Sequence, residues 1–121
     1  METAEFNAVV NGTADAAVIH CEGDLNVRAD AAMEAAYTEV ASLGARQITL
    51  DFARVGYINS TGIALIVQML TAAQADGRTI RASGLTDHYR QIFEITRLSD
   101  YMAILDDAQV GETANPEGVV Q

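Results

Sequence analysis

A change of hydrophobic period near residue 60 constrains this chain more than any other feature. Ile48, Leu50 and Phe52 alternate with polar residues, the spacing of a half-buried strand. Ile63, Ile66, Val67 and Leu70 then recur at the spacing of one helical face. A short turn is expected between the two. Ser is a strong helix N-cap, because its side-chain oxygen accepts a hydrogen bond from a backbone N–H that the first turn leaves unpaired. The pattern predicts a helix that starts at Ser60 with the hydroxyl exposed at its positive end. A phosphate on that oxygen would face free N–H groups and a helix dipole worth roughly 0.3 to 1 kcal/mol to an anion. The alternative is that Ser60 caps the helix and does nothing else.

The remaining elements follow from the same periods. Phe6 to Val10 and Ala16 to Cys21 read as strands joined by turn chemistry at Asn11-Gly12-Thr13, so a hairpin is expected first. Glu22 to Asn26 reads as a connection. Asp30 is the expected cap of a helix in which Met33, Ala36, Tyr37, Val40 and Leu43 share a face and Gly44 stops the run. The strand Gln47 to Phe52 and the Ser60 helix follow, the latter ending at Gly77. A strand is expected at Thr79 to Ala82, then a helix capped by Thr86 with Tyr89, Ile92, Phe93 and Thr96 on one side, then a last strand at Tyr101 to Leu105. Residues 108–121 carry no periodicity and read as a mobile acidic tail.

From Gln47 onward the order is strand, helix, strand, helix, strand, which implies parallel pairing through right-handed crossovers. With the hairpin added, the expected fold class is α/β: a mixed sheet of about four to five strands with about three to four packed helices. In such sheets, binding sites gather where strands hand over to helices, at the strands' carboxyl ends. Ser60 and Thr86 both belong to that edge.

Composition narrows the function. The chain has 121 residues, half of them hydrophobic, which suits one domain with one core. Seven Lys and Arg against 17 Asp and Glu give a net charge of -10, which repels phosphate backbones and anionic lipid surfaces. No nucleic-acid or membrane partner is expected. The longest apolar run falls far short of the ~20 residues that span a bilayer, and the N-terminus has no basic segment followed by an apolar one. A cytoplasmic protein is expected, in keeping with a single cysteine, Cys21, which reads as a small packed side chain.

Catalytic patterns are missing. His20 and His88 are the only histidines, and neither has a second ligand at a familiar metal-binding spacing. Ile58-Asn59-Ser60-Thr61-Gly62 lacks the Gly-x-Ser-x-Gly of a nucleophile elbow, and the glycines form no phosphate-binding loop or dinucleotide fingerprint. A triad would also need a base-orienting acid and an oxyanion hole. The reading is of a non-enzyme without metal or cofactor. Tyr37 and Tyr89 read as core-edge residues with wet hydroxyls, Asp106-Asp107 as a solvated strand end, and Arg78 and Arg81 as side chains facing water, with a role in partner docking as the alternative.

Three stretches carry a resemblance: Asp51-Phe-Ala-Arg-Val-Gly-Tyr-Ile-Asn-Ser-Thr-Gly-Ile-Ala-Leu-Ile-Val67, Gly77-Arg-Thr-Ile-Arg-Ala-Ser-Gly-Leu85, and Ile92-Phe-Glu-Ile-Thr-Arg-Leu98. Together they closely resemble the bacterial anti-sigma-factor antagonists, which are stand-alone STAS domains, from about Phe6 to Asp107. The resemblance implies a single STAS-type domain over residues 1–107 and a partner switch. Family members bind an anti-sigma factor that is itself a serine kinase and so free the sigma factor. The kinase phosphorylates the antagonist on the serine of an Asp-Ser-Ser/Thr-Gly motif, and a metal-dependent serine phosphatase restores binding. On this sequence the phosphoacceptor falls on Ser60, with Thr61 and Gly62 completing the helix start. ATP and magnesium would belong to the kinase. Partner contacts are expected from Asp24, Asn26, Asn59, Ser60, Thr61, Gly62 and Thr86. Two positions depart from the family pattern: its acid before the serine is Asn59, and the acid of its Gly-Glu-Leu-Asp turn is Asn26, with Asp24 as a partial substitute. Both amides keep hydrogen-bonding capacity without the charge. The resemblance also leaves open a STAS subunit that never switches, acting as a scaffold in a signalling or lipid-transport complex.

Overall fold

The order of the strands in space decides where everything else goes. In the computed structural model, which describes residues 4–105, five strands form one sheet in the order in which the chain makes them. Strands β1 (Asn7–Gly12) and β2 (Ala16–Leu25) are antiparallel, and β3 (Gln47–Ile58), β4 (Thr79–Ser83) and β5 (Ala103–Ile104) follow, each parallel to its predecessor. Helix α1 (Asp30–Leu43) joins β2 to β3, α2 (Ser60–Ala75) joins β3 to β4, and α3 (Asp87–Ile95) with a 3-10 turn at Leu98–Asp100 leads to β5. Parallel crossovers are right-handed. Because all three step the same way across the sheet, their helices pack on one face and leave the other open. The expected mixed α/β sheet is observed.

The open face explains why the strands alternate. Parallel sheets covered on both sides read as continuous apolar runs, whereas here Ile48, Leu50 and Phe52 are buried and Gln47, Thr49 and Asp51 are half-buried on the open side. His20 and Asp51, paired across β2 and β3, join on that side at 2.9 Å. Under the helices, Ile19, Ile48, Leu50, Ile66 and Phe93 are fully buried. Phe93 closes the core by meeting Phe52 edge-on, with ring centroids 5.9 Å apart. Cys21 packs in this core, and burial, with Asp51 nearby, pushes its thiol up to about 12, far from the reactive thiolate.

Several expectations need correction. The hairpin turn lies at residues 13–15, since Asn11 and Gly12 still pair with Val18 and Ala17 and the Thr13 N–H donates to the Ala16 carbonyl at 2.8 Å. Leu43 is 40 % exposed, because it is the last residue of α1 before Gly44 turns the chain at φ 76°. Val67 is exposed because it lies ~100° around the helix from Ile66, whose side, with Leu70 and Ala73, makes the buried stripe. Thr96 is exposed, and β5 is only two residues long because a 3-10 turn occupies the chain before it. Arg78 does not face water: its guanidinium donates to the Ala41 carbonyl in the last turn of α1 at 3.2 Å, where a cation complements the helix dipole. Arg81 is half-buried on the open sheet face beside Thr49. The Tyr37 hydroxyl is not left to water either, since it donates to Asp76 at 2.6 Å; burial, then that carboxylate, pushes it up to about 12. The expected tail at residues 108–121 and the Asp106-Asp107 pair lie outside the described residues. Among those described, no helix is long and apolar enough to cross a membrane.

Phe93→Ala should lower unfolding free energy by about 3–5 kcal/mol, the usual cost of emptying a core aromatic site. Urea denaturation measures it, and a loss under about 1 kcal/mol would mean that α3 does not seal the core.

Candidate functional site

Strand β3 outruns β4, and the site is built on the overhang. The last β3–β4 pair is Asp51 with Ser83, but β3 stays paired to β2 as far as Ile58 with Leu25. The β2–β3 register slips between His20 and Glu22 and again between Gly23 and Asp24. Such bulges absorb a stretch that lacks clean alternation. The strand expected to stop at Phe52 therefore reaches Ile58, the connection expected at Glu22 to Asn26 is largely strand, and the turn before α2 shrinks to Asn59.

That shortening changes which residue caps α2. Asn59 is extended (φ -99°, ψ -176°), its N–H donates to the Leu25 carbonyl at 3.2 Å, and its Oδ1 accepts from the Gly62 N–H at 2.9 Å. Ser60 is the first helical residue and not the cap. Asn and Ser cap about equally well, so the role falls to whichever residue the strand end holds in an extended conformation. Ser60 is thereby left exposed, with no hydrogen-bond partner for its hydroxyl among the described residues. Thr61 is exposed beside it. Gly62 is buried, and a Cβ there would collide with the Leu25 carbonyl oxygen, so only glycine lets the first turn of α2 press against the end of β2.

The other expected residues distribute as follows. Asn26 caps a 3-10 turn at Val27–Ala29 through Oδ1, which accepts from the Arg28 N–H at 2.9 Å. This turn runs straight into α1, so Asp30 is not the cap; it lies in the first turn of α1 behind Ala29, which makes no side-chain cap. Asn26 adjoins the Asn59–Gly62 turn through the Leu25–Ile58 pairing. The Asp24 carboxylate accepts from the Ala4 N–H at 3.1 Å, so it is committed to the chain's N-terminal arm. Thr86 caps α3 as expected, accepting from the Tyr89 N–H at 3.2 Å.

Tyr89 brings α3 into the site and was missed. Its hydroxyl, expected to be wet, accepts from the Ile58 N–H at 3.0 Å. The available signal was its position in the first turn after Thr86, at the same sheet edge as Ser60. Val27 and Tyr57, 65 % and 53 % exposed, stand in the segments that flank the two amide caps. Apolar side chains exposed beside polar ones are what docking surfaces use.

Among the described residues, no histidine is hydrogen-bonded to Ser60. The His20–Asp51 pair lies about seven strand residues from Ile58, roughly 20 Å along β3. His88 packs edge-on against Tyr89 at 4.9 Å and has no acid partner among the described residues. No group of three His, Cys, Asp or Glu among the described residues is arranged to hold a metal ion.

Gly62→Ala should destabilise the fold by about 1–3 kcal/mol, as overpacking against backbone does. Unchanged stability in urea would show that α2 is free to step away from Leu25.

Comparisons with known proteins speak to the family and the fold. Residues 8–106 match the family model described as Mlab, STAS domain. The anti-sigma-B factor antagonist of Staphylococcus aureus is 31 % identical over 88 residues, covering 73 % of this chain and 82 % of the relative. The anti-sigma factor antagonist SpoIIAA in its unphosphorylated form superposes with a TM-score of 0.68 at 17 % identity, over 94 % of this chain and 99 % of that one. The Bacillus cell fate determinant SpoIIAA in the phosphorylated form gives 0.60 at 16 % identity, over 88 % and 98 %. At those identities the structural likeness is one of fold, and with the family model it leads to one conclusion: the chain belongs to the STAS domain family.

Proposed function

We propose that this protein is an anti-sigma-factor antagonist of the partner-switching kind, a non-enzymatic binding domain controlled by phosphorylation of Ser60. The observation that carries the reading is the division of labour at the start of α2. Asn59 makes the cap, so the Ser60 hydroxyl is held at the helix mouth with no partner among the described residues. The Ser60 and Thr61 N–H groups of the first turn, left over once Asn59 takes that of Gly62, favour a phosphate there. A phosphoserine adds roughly -1.5 to -2 charges, which in the middle of a docking surface costs binding through desolvation and like-charge repulsion. The relative's name, anti-sigma-B factor antagonist, and the likeness to a protein solved with and without phosphate support the same reading.

The partner on this reading is an anti-sigma factor of the serine-kinase class, opposed by a metal-dependent serine phosphatase. Ser60, Thr61, Asn26 and the first turn of α3 behind Thr86 form the contact surface, with Val27 and Tyr57 as its apolar members. Asp24, whose carboxylate holds the Ala4 N–H, lies at the margin of this surface. ATP is used by the kinase, and the antagonist works in the cytoplasm.

Asn26 and Asn59 favour a second reading, a STAS subunit that binds without switching. Each keeps the cap that a carboxylate would make and omits its charge. Incubation with the host's anti-sigma kinases and ATP separates the two: label on Ser60, lost in Ser60→Ala, supports the switch, and tight binding without label supports the scaffold.

Ser60→Asp should weaken binding of the kinase on the order of a hundredfold, about 3 kcal/mol, while Ser60→Ala binds like the wild type; isothermal titration measures both, and equal affinities would rule out charge control. Asn59→Asp retains the acceptor for Gly62 and adds a charge beside Ser60. Initial rates of phosphorylation should rise, and equal rates for the two proteins would show that charge at this position is irrelevant.

A further inference from the structure

The tip of β3 is held from two sides, by contacts of different kinds. On the β2 side, the Asn59 N–H donates to the Leu25 carbonyl, a backbone contact that any sequence could make. On the other side β4 has already ended at Ser83, so among the described residues β3 has no strand neighbour there beyond Asp51. Successive strand N–H groups point in opposite directions, and the Ile58 N–H therefore points to where β4 would have continued. A buried or half-buried N–H without a partner is costly. The Tyr89 hydroxyl stands in for the missing strand at 3.0 Å, and Ile58 itself is buried.

We propose that Tyr89 is a positioning residue for Ser60: its hydroxyl fixes the height of the β3 tip, and with it the first turn of α2, and couples α3 to Ser60. The proposal rests on the reading of Ser60 as the phosphoacceptor and adds the element that regulates its presentation. Three observations carry it. Ile58 is two residues from Ser60, with the cap Asn59 between them. The opposing β2 side pairs past a register slip between Gly23 and Asp24, so on that side the tip rests on the short run Asp24–Tyr57, Leu25–Ile58 and the Asn59 contact. Tyr89 belongs to the first turn of α3, whose Thr86, Asp87 and His88 are exposed, so a partner resting on α3 pushes on the residue that holds the tip. By linkage, a change at Ser60 is felt at α3 with the same coupling.

The test compares wild type, Tyr89→Phe and Tyr37→Phe by amide NMR and hydrogen exchange on the full chain. Phe keeps the ring and removes the acceptor, and Tyr37→Phe is the control, because its hydroxyl bonds Asp76 at the far end of α2. In Tyr89→Phe the Ile58 amide should exchange about tenfold faster and the Ser60 and Thr61 resonances should shift. Tyr37→Phe should leave all three unchanged. With the kinase, Tyr89→Phe should lower kcat for Ser60 labelling several-fold with KM nearly constant, since docking chemistry is intact and alignment is not. Unchanged Ile58 exchange, equal effects from Tyr37→Phe, or a loss entirely in KM would each overturn the proposal. If no kinase labels wild-type Ser60, the phosphoacceptor reading fails by itself, and the amide data still decide whether Tyr89 positions the tip.

Discussion

The carbonyl of Leu25 is the contact on which the site depends. It accepts from the Asn59 N–H and lies against Gly62, so one oxygen at the end of β2 sets both the end of β3 and the start of α2. A side chain at residue 62 would lift the helix away from it. With the helix pressed down and Asn59 held extended, the cap is made one residue before the serine, and Ser60 is left exposed, its hydroxyl unbonded among the described residues. The exposure of Ser60 is thus a consequence of how tightly its neighbours are packed.

A second constraint comes from the sheet's one-directional order. Three right-handed crossovers in the same direction place every helix on one face and every strand-to-helix handover at one edge. The turn after β2, the turn after β3 and the turn after β4 consequently lie together, carrying Asn26, Asn59–Gly62 and Thr86. Each is a helix or 3-10 start with a side-chain cap. Caps demand an acceptor and not a charge, so Asn26 and Asn59 hold the backbone as carboxylates would. The charge of the edge is therefore free to vary without loss of its shape. Tyr89 then ties the third turn to the second across the gap that the short β4 leaves.

What was legible in the sequence was set by local chemistry: the alternation of Ile48, Leu50 and Phe52, the helical recurrence after residue 60, Gly44 as a stop and Thr86 as a cap. These rest on the period of each element and on groups that act within a few residues, and together they were sufficient for the fold class and for placing Ser60 at the start of a helix. The choice of cap between Asn59 and Ser60 was decided by tertiary structure, because it depends on where β3 stops, and β3 is prolonged by pairing with β2 and not by its own pattern. The Tyr89 hydroxyl and the Leu25–Gly62 contact belong to the same class. Each joins residues some thirty or more positions apart, 31 for Tyr89 and Ile58, and no rule of spacing encodes which distant atom will fill a backbone group's vacancy once the sheet has closed.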